Sequence, residues 1–320
     1  MGFKVIKPGW QTTVQDLGRP GLRKFGIPRS GVLDQYRYYW ANGLLGNDLS
    51  MPILSIQTLG PKLEFTEDHS IFVTGSPAIL TIDKFEVKTQ GHLYVKKGQI
   101  LEIKSRFRNG TIYLAIDGQW QLPKIYNSYS SDLLTPFEGL LGRSLMVDDE
   151  VNIIPQQPIF QNISLPQNTT IQPNNHQTIR ILTAPESEVL TTSQKSAIED
   201  HNFSIDPTSN SMGMRLDTNI NFDTLKPIML SSSVQVGTLQ WPSGNQPILL
   251  LNQAQTSGGY PRLAQVIQAD LYKLAYLGPG DTIKFKWSTL KEAFYILEYQ
   301  NTQFKRQWSS VFNNSFEGQL

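Results

Sequence analysis

The chain has no cysteine among its 320 residues. That excludes disulfides, thiol nucleophiles and thiolate-bound zinc, and it suits a reducing compartment. Nor is there an excess of either charge: 28 Lys and Arg against 27 Asp and Glu leave a formal net charge of +1. Nucleic acid or an acidic membrane surface meets no global attraction, so neither is expected as a partner. No run approaches the roughly 20 apolar residues that span a bilayer. The opening MGFKVIKPGW lacks a secretion pattern, and Ile6 stands where a myristoylation signal needs Ser or Thr, so a cytoplasmic location is expected. The usual catalytic signatures are missing as well: no Walker loop, no G-x-G-x-x-G after a strand, no G-x-S-x-G elbow. The histidines, His69, His92, His176 and His201, have no ligand spacing, so neither a metal site nor a His-centred triad is expected. An active site must then be built from Asp, Arg, Ser, Thr, Gln, Tyr and backbone amides.

What is present is mostly strand pattern. Residues 62–75, 78–89, 99–107 and 110–118 are short, alternately apolar runs separated by Gly, Pro and Asn. The same style returns at 177–185, 226–232, 237–251 and 280–288, and such spacing predicts a β sandwich or barrel. The turn cluster Trp241–Gln246 predicts a hairpin. Three helices interrupt the strands. One covers 33–46, with Asp34 as N-cap and Gly46 as a left-handed stop. A second covers 264–280. The third starts at Thr289 with Glu292 in a capping box, and carries Leu290, Phe294, Leu297, Phe304, Trp308 and Val311 at helical spacing, a core or interface stripe. The Pro-, Asn- and Gln-rich segment 155–177 cannot supply a packed face and reads as a linker. The resulting division is an N-terminal β-rich half (1–154), the linker, a C-terminal half (178–312) and a tail (313–320) expected to lack structure.

Two stretches have the residue types for chemistry. Residues 12–35 set Asp16, Arg19, Arg29, Ser30 and Asp34 among Gly18, Gly21, Gly26 and Gly31, just before a helix start. Glycines allow close backbone approach, and arginines near a helix N-terminus favour an anion such as carboxylate or phosphate. The alternative is a glycine-punctuated loop that Asp–Arg pairs simply brace. Residues 249–266 run from an apolar strand into Gln255, Thr256, Gly258, Gly259, Tyr260 and Arg262. Exposed amides and side-chain donors make it a candidate pocket wall, or else a tight turn with a Tyr-Pro packing corner.

These stretches also carry a resemblance. TVQDLGRPG, GIPRSGVLDQ and ANGLLGN, followed in order by SMGMRL (211–216), GTLQWPSGNQPILLLNQAQTSGGYPRL (237–263) and LGPGDTIKF (277–285), resemble the allophanate hydrolase subunit 2 family. That family takes in the C-type subunit of 5-oxoprolinase, the antagonist of a sporulation-kinase inhibitor, and part of the urea carboxylase carboxyltransferase region. The resemblance spans roughly residues 5–295 and implies a mainly β fold of two barrel-like halves, the second cyclophilin-like. It implies a subunit-1 (B-type) partner, with the A-type component of the same complex as a further one, and ATP with Mg²⁺ at the interface between chains. Asp16, Asp34 and Arg19 would be catalytic. Ser30, Gln240, Gln255, Thr256, Gly258, Gly259, Tyr260 and Arg262 would bind a small cyclic amide, with Thr256, Tyr260 and Arg262 turned inward. Catalysis of that kind rests on positioning and charge stabilisation.

The chain departs from the family at positions usually charged: Ser55, Tyr129, Ser211, Ser232 and Gln253 stand there instead. Two other readings therefore stay open. One is a biotin-dependent carboxyltransferase component, whose carrier would be a separate protein because no Met-Lys dipeptide occurs here. The other is a regulator that binds a subunit-1-like protein without chemistry.

Overall fold

A computed structural model describes residues 2–87, 92–135, 137–156, 174–222, 229–242, 246–318 and 320. The chain forms two compact units. The first comprises residues 1–19, 30–173 and 304–320, the second residues 20–29 and 174–303.

The first unit is built on a six-stranded and a five-stranded sheet. A six-stranded sheet runs β12 (Glu150–Val151), β1 (Phe3–Lys7), β4 (Lys62–Phe65), β9 (Ile100–Ser105), β6 (Ala78–Ile82), β7 (Phe85–Val87). A five-stranded sheet runs β2 (Gln11–Gln15), β3 (Ile53–Gln57), β10 (Thr111–Ile116), β5 (His69–Gly75), β8 (His92–Val95). Strands β11 (Gln119–Trp120) and β13 (Ile153–Ile154) pair separately. Val5, Val14, Leu54, Ile56, Leu63 and Ile112 share one core. The other face of the five-stranded sheet, with Ile53, Phe72 and Tyr113, packs under helix α1 (Gln35–Leu44). Strand β10 is therefore buried at every position, which is why its sequence, TIYLAI, is apolar without alternation.

The second unit is a closed seven-stranded barrel in the order β14 (His176–Thr183), β21 (Arg262–Val266), β18 (Thr238–Gln240), β19 (Ile248–Leu250), β16 (Gly213–Asp217), β15 (Asn202–Ile205), β22 (Thr282–Trp287). Ring closure leaves no edge strand. Met214, Leu239 and Leu249 are paired across strands and buried, as are Phe203 and Ile283, so these alternating positions fill the lumen. Strands β17 (Ser232–Ser233) and β20 (Ser257–Gly258) pair outside the ring, and helix α2 (Thr192–Asp200) starts from a capping box at Thr191.

Several expectations hold and others need correction. Asp34 caps α1 by accepting from the Arg37 N–H at 3.1 Å, and Gly46 has φ 68°. Antiparallel pairing of β18 with β19 is the expected hairpin, although residues 243–245 of its turn lie outside the described residues. The strand expected at 226–232 is described only from 229, and only Ser232 and Ser233 pair. Most of the proposed linker lies outside the described residues, and its last two residues begin β14. The helix expected at 264–280 is instead the end of β21 followed by a 3-10 run, Gln268–Tyr276. There the barrel claims Ala264 to Val266 for pairing with β14, and Ala264 and Gln265 for pairing with β18. Asp270 then anchors the run, accepting from Arg180 at 2.6 and 2.9 Å and pairing with Lys273 at 2.9 Å. Helix α3 (Leu290–Phe312) has its Thr289–Glu292 capping box. Its stripe is divided: Phe304 and Trp308 are buried against Trp40, whereas Leu290 and Phe294 are 61% and 62% exposed. Within the tail, where structure is not expected, the Phe316 ring packs edge-on against Tyr39 at 4.8 Å and Trp308 at 5.0 Å.

Candidate functional site

In the first unit the Asp/Arg/Gly loop is tied down by its own residues. Asp16 follows β2. Its carboxylate accepts from the Gly18 N–H (2.8 Å), the Ser128 hydroxyl (2.6 Å), the Ser130 hydroxyl (2.5 Å) and the Tyr129 N–H (2.7 Å). One carboxylate oxygen takes three of these donors and the other takes the Tyr129 N–H, so the group is committed mainly to holding the loop. Arg19, fully buried, donates to the carbonyls of Ile125 (3.1 Å) and Ser130 (2.6 Å) and lies over the Phe137 ring. Burial lowers its pKa, and the nearby Asp16 and Asp132 charges partly offset that. Asp34 is also fully buried, capping α1 and pairing with Arg37 at 2.8 Å. Gly31, with φ 85°, crosses the Gly18 backbone so closely that a Cβ would stand 2.6 Å from the Gly18 nitrogen. Ser30 is buried beside it with φ 55°. Asp16, Asp34 and most of Arg19 thus brace the loop. Arg19 Nη1 and Ser30 Oγ are among the buried atoms that have no hydrogen-bond partner in the described residues.

The second unit holds a cavity of about 350 Å³. Its position follows from strand register. Leu239 and Leu249 face the lumen, so the next residues, Gln240 and Ile248, face outward, and cross-strand partners share that face. Arg262, Gln240, Ile248 and Arg215 therefore form one row across β21, β18, β19 and β16 on the outside of the barrel. Pro242, Gln246, Gln255, Tyr260, Asn210 and Met212 line the cavity together with Gln240, Ile248 and Arg215 of the row. Arg23, from the 20–29 loop, donates to the carbonyls of Val234 and Gln255, the latter at 3.1 Å, and so ties the loop to a cavity-lining residue. Burial and the like charge of Arg29 both lower the Arg23 pKa.

Gln240 sets the chemistry of this cavity. Its side chain is fully buried, yet among the described residues neither its amide oxygen nor its amide nitrogen has a hydrogen-bond partner. An unpaired buried amide is costly unless a ligand or water completes it. Gly258 abuts it: an added Cβ would stand 2.6 Å from Gln240 Nε2. At Gly259 the same addition would stand 2.9 Å from the Met229 carbonyl.

Of the residues predicted to bind substrate, Gln240, Gln255 and Tyr260 line the cavity, and Gly258 shapes it. Thr256 and Arg262 do not line it. Thr256 offers its carbonyl to the Val234 N–H at 3.1 Å. Arg262 is clamped by Glu186 at 2.7 and 2.8 Å, with a further bond to the Ser233 carbonyl, and that pairing raises the Arg262 pKa and lowers that of Glu186. Sequence reasoning missed Arg215, which lines the cavity from an outward position of β16. Strict alternation in Met214-Arg215-Leu216 was the available signal. Among the charge-losing positions, Tyr129 is buried and gives its N–H to Asp16, and Ser232 pairs with Gly258. Among the described residues no group of His, Asp or Glu is arranged to hold a metal ion, and no helix is long and apolar enough to cross a membrane.

Comparison with known proteins agrees with this architecture. The chain is 36% identical to the C subunit of Escherichia coli 5-oxoprolinase over 305 residues, covering 95% of this chain and 97% of that protein. It is 33% identical to the C subunit of 5-oxoprolinase from Haemophilus influenzae, covering 88% and 90%. Among solved structures, the urea carboxylase of Kluyveromyces lactis superposes with a TM-score of 0.86 at 26% identity, over 95% of this chain but only 29% of that one. Residues 25–287 match the carboxyltransferase domain family, subdomains A and B. The chain belongs to that carboxyltransferase-domain family, alongside the 5-oxoprolinase C subunits.

Proposed function

We propose that this chain is the C-type subunit of an ATP-dependent amide hydrolase of the 5-oxoprolinase type. It acts with a subunit-1 (B-type) partner, and with the A-type component, on a small cyclic amide. The carrying observation is similarity along nearly the whole length of two 5-oxoprolinase C subunits. The cavity supports it, since it presents an unpaired buried amide beside Gln255 and Tyr260.

On this reading the chain binds and orients the amide. Its cavity residues do not fit a nucleoside triphosphate: Arg215 is the one cation lining the cavity among the described residues, and no carboxylate lines it for Mg²⁺. ATP and Mg²⁺ would accordingly be held at the surface shared with the partner.

The urea carboxylase superposition favours a second reading, a biotin-dependent carboxyltransferase component served by a separate carrier. Phosphate release from ATP by the chain reconstituted with its subunit-1 partner and the A-type component, with and without 5-oxoproline, decides. Stimulation by 5-oxoproline, lost in Gln240→Met, is the expected result. Turnover that instead needs bicarbonate and a biotinylated carrier would carry the second reading. A complex that assembles but shows neither activity would point to a regulator.

A further inference from the structure

Two residues of the outward row differ from the others in having chemistry to offer. Gln240 has a free donor and a free acceptor at full burial. Arg215 is exposed and lines the same cavity. Among the described residues the ion pairs of the second unit are Arg180–Asp270, Lys273–Asp270 and Arg262–Glu186, and Arg215 enters none of them. Its guanidinium makes a long 3.5 Å approach to the Gln246 amide oxygen. Both residues sit level with Ile248, one on each side, so their Cα atoms are about 10 Å apart at the usual strand spacing.

We infer that Gln240 and Arg215 are a specificity-determining pair that fixes the direction in which a small dipolar molecule enters: its amide edge inward against the Gln240 carboxamide, its carboxylate outward at the Arg215 guanidinium. A primary carboxamide presents one acceptor and two donors, so it pairs with a group that has C=O and N–H side by side, as a lactam does. A guanidinium pairs with a carboxylate in a planar fork and keeps its charge throughout the physiological range. Arg262, a cation in the same row, cannot take that part because Glu186 holds it. The burial gradient sets the order: the neutral group goes to the dry end of the row and the charged group to the wet end, the cheaper arrangement for each. This assignment deepens the amidase reading and rests on it for the identity of the probe.

Calorimetric binding by the full chain, alone and with its subunit-1 partner, tests the pair with three probes. They are 5-oxoproline, 2-pyrrolidone, which lacks the carboxylate, and proline, which lacks the lactam carbonyl. Wild type is expected to prefer 5-oxoproline to either by about tenfold or more, and each variant should lose one half of that preference. Arg215→Gln should reduce 5-oxoproline to the affinity of 2-pyrrolidone and leave 2-pyrrolidone unchanged. Gln240→Met should weaken 5-oxoproline by about 10- to 100-fold, the cost of an unmade buried hydrogen bond, and leave proline unchanged. Arg215→Lys should restore part of the loss in Arg215→Gln, which a fold defect would not do. Equal weakening of all three probes by either variant overturns the assignment, as does a wild type that binds none of them at millimolar concentration. Phosphate release by the reconstituted complex is read separately: a silent complex with the binding pattern intact sinks the amidase reading and leaves the pair standing.

Discussion

At the scale of single residues, similar groups are employed very differently. Asp16 and Arg19 have the side chains of a catalytic pair, but their partners are the hydroxyls and N–H of Ser128–Ser130 and the carbonyls of Ile125 and Ser130. Asp16→Ala is expected to destabilise the chain by roughly 3 kcal/mol or more, since it strands two hydroxyls and two N–H groups in a buried site. Thermal melting checks it. Asp16→Asn should cost less, because the amide oxygen keeps some of those bonds. The serines that satisfy Asp16 lie more than a hundred residues away in sequence. Nothing local in Asp16-Leu17-Gly18-Arg19 reveals them, and so a bracing carboxylate and a catalytic one look alike in the sequence. Gln240 is the converse. The family resemblance singles it out as a binding residue, but only register places it on the outer row with Arg215.

At the scale of elements, α3 shows what periodicity reveals and what it leaves out. Its apolar positions share one face, and the helix and its capping box are legible from spacing alone. How much of that face is covered depends on distant residues. Trp308, tilted against Trp40 at 5.3 Å and set close to Gly43, is buried, whereas Phe294 on the same stripe is exposed. Trp308→Ala should cost about 3–5 kcal/mol in denaturant unfolding, and Phe294→Ala should stay within about 0.5 kcal/mol. Equal effects would mean that the stripe is covered along its whole length. Other elements depart from their sequence pattern for local reasons. The run 78–89 holds a hairpin, because Asp83 and Lys84 take φ of 50° and 74° without a glycine to announce the turn. Asp83 accepts from the Ile100 N–H at 2.9 Å and from Gln99, and that distant strand holds the turn in place. In the 3-10 run, helix-like spacing comes from a segment that Asp270 ties to β14, where it accepts from the Arg180 N–H at 2.8 Å.

At the scale of the whole molecule, the mainly β character and one wall of the candidate cavity were legible, because alternation and turn residues are local signals, whereas the second-half barrel was implied by the family resemblance. The outer-face position of the cavity depended on which strands become neighbours, and spacing does not encode that. Acid response also belongs to this scale. In the second unit, hydrogen bonding from Arg262 lowers the Glu186 pKa. Burial pushes that of Asp270 up, but bonds from Arg180 and Lys273 outweigh it and leave it lowered. Both folded-state values lie below the unfolded ones, so the stability they contribute is present above about pH 4 and is lost as pH falls through the folded values. Glu186→Gln should therefore lower the melting temperature more at pH 7 than at pH 3. A shift that is the same at both pH values would show that the Arg262 clamp is not electrostatic.

The chain passes from the first unit to the second after residue 19, returns at 30, leaves again after 173 and comes back at 304. During synthesis the first unit thus waits for the last residues to be made, since Phe304, Trp308 and Phe316 cover its aromatic cluster. Until then that cluster stays open to water while the barrel emerges from the ribosome. A nascent chain stalled near residue 300 should be a target for holding chaperones, even though all of the barrel strands have already been translated.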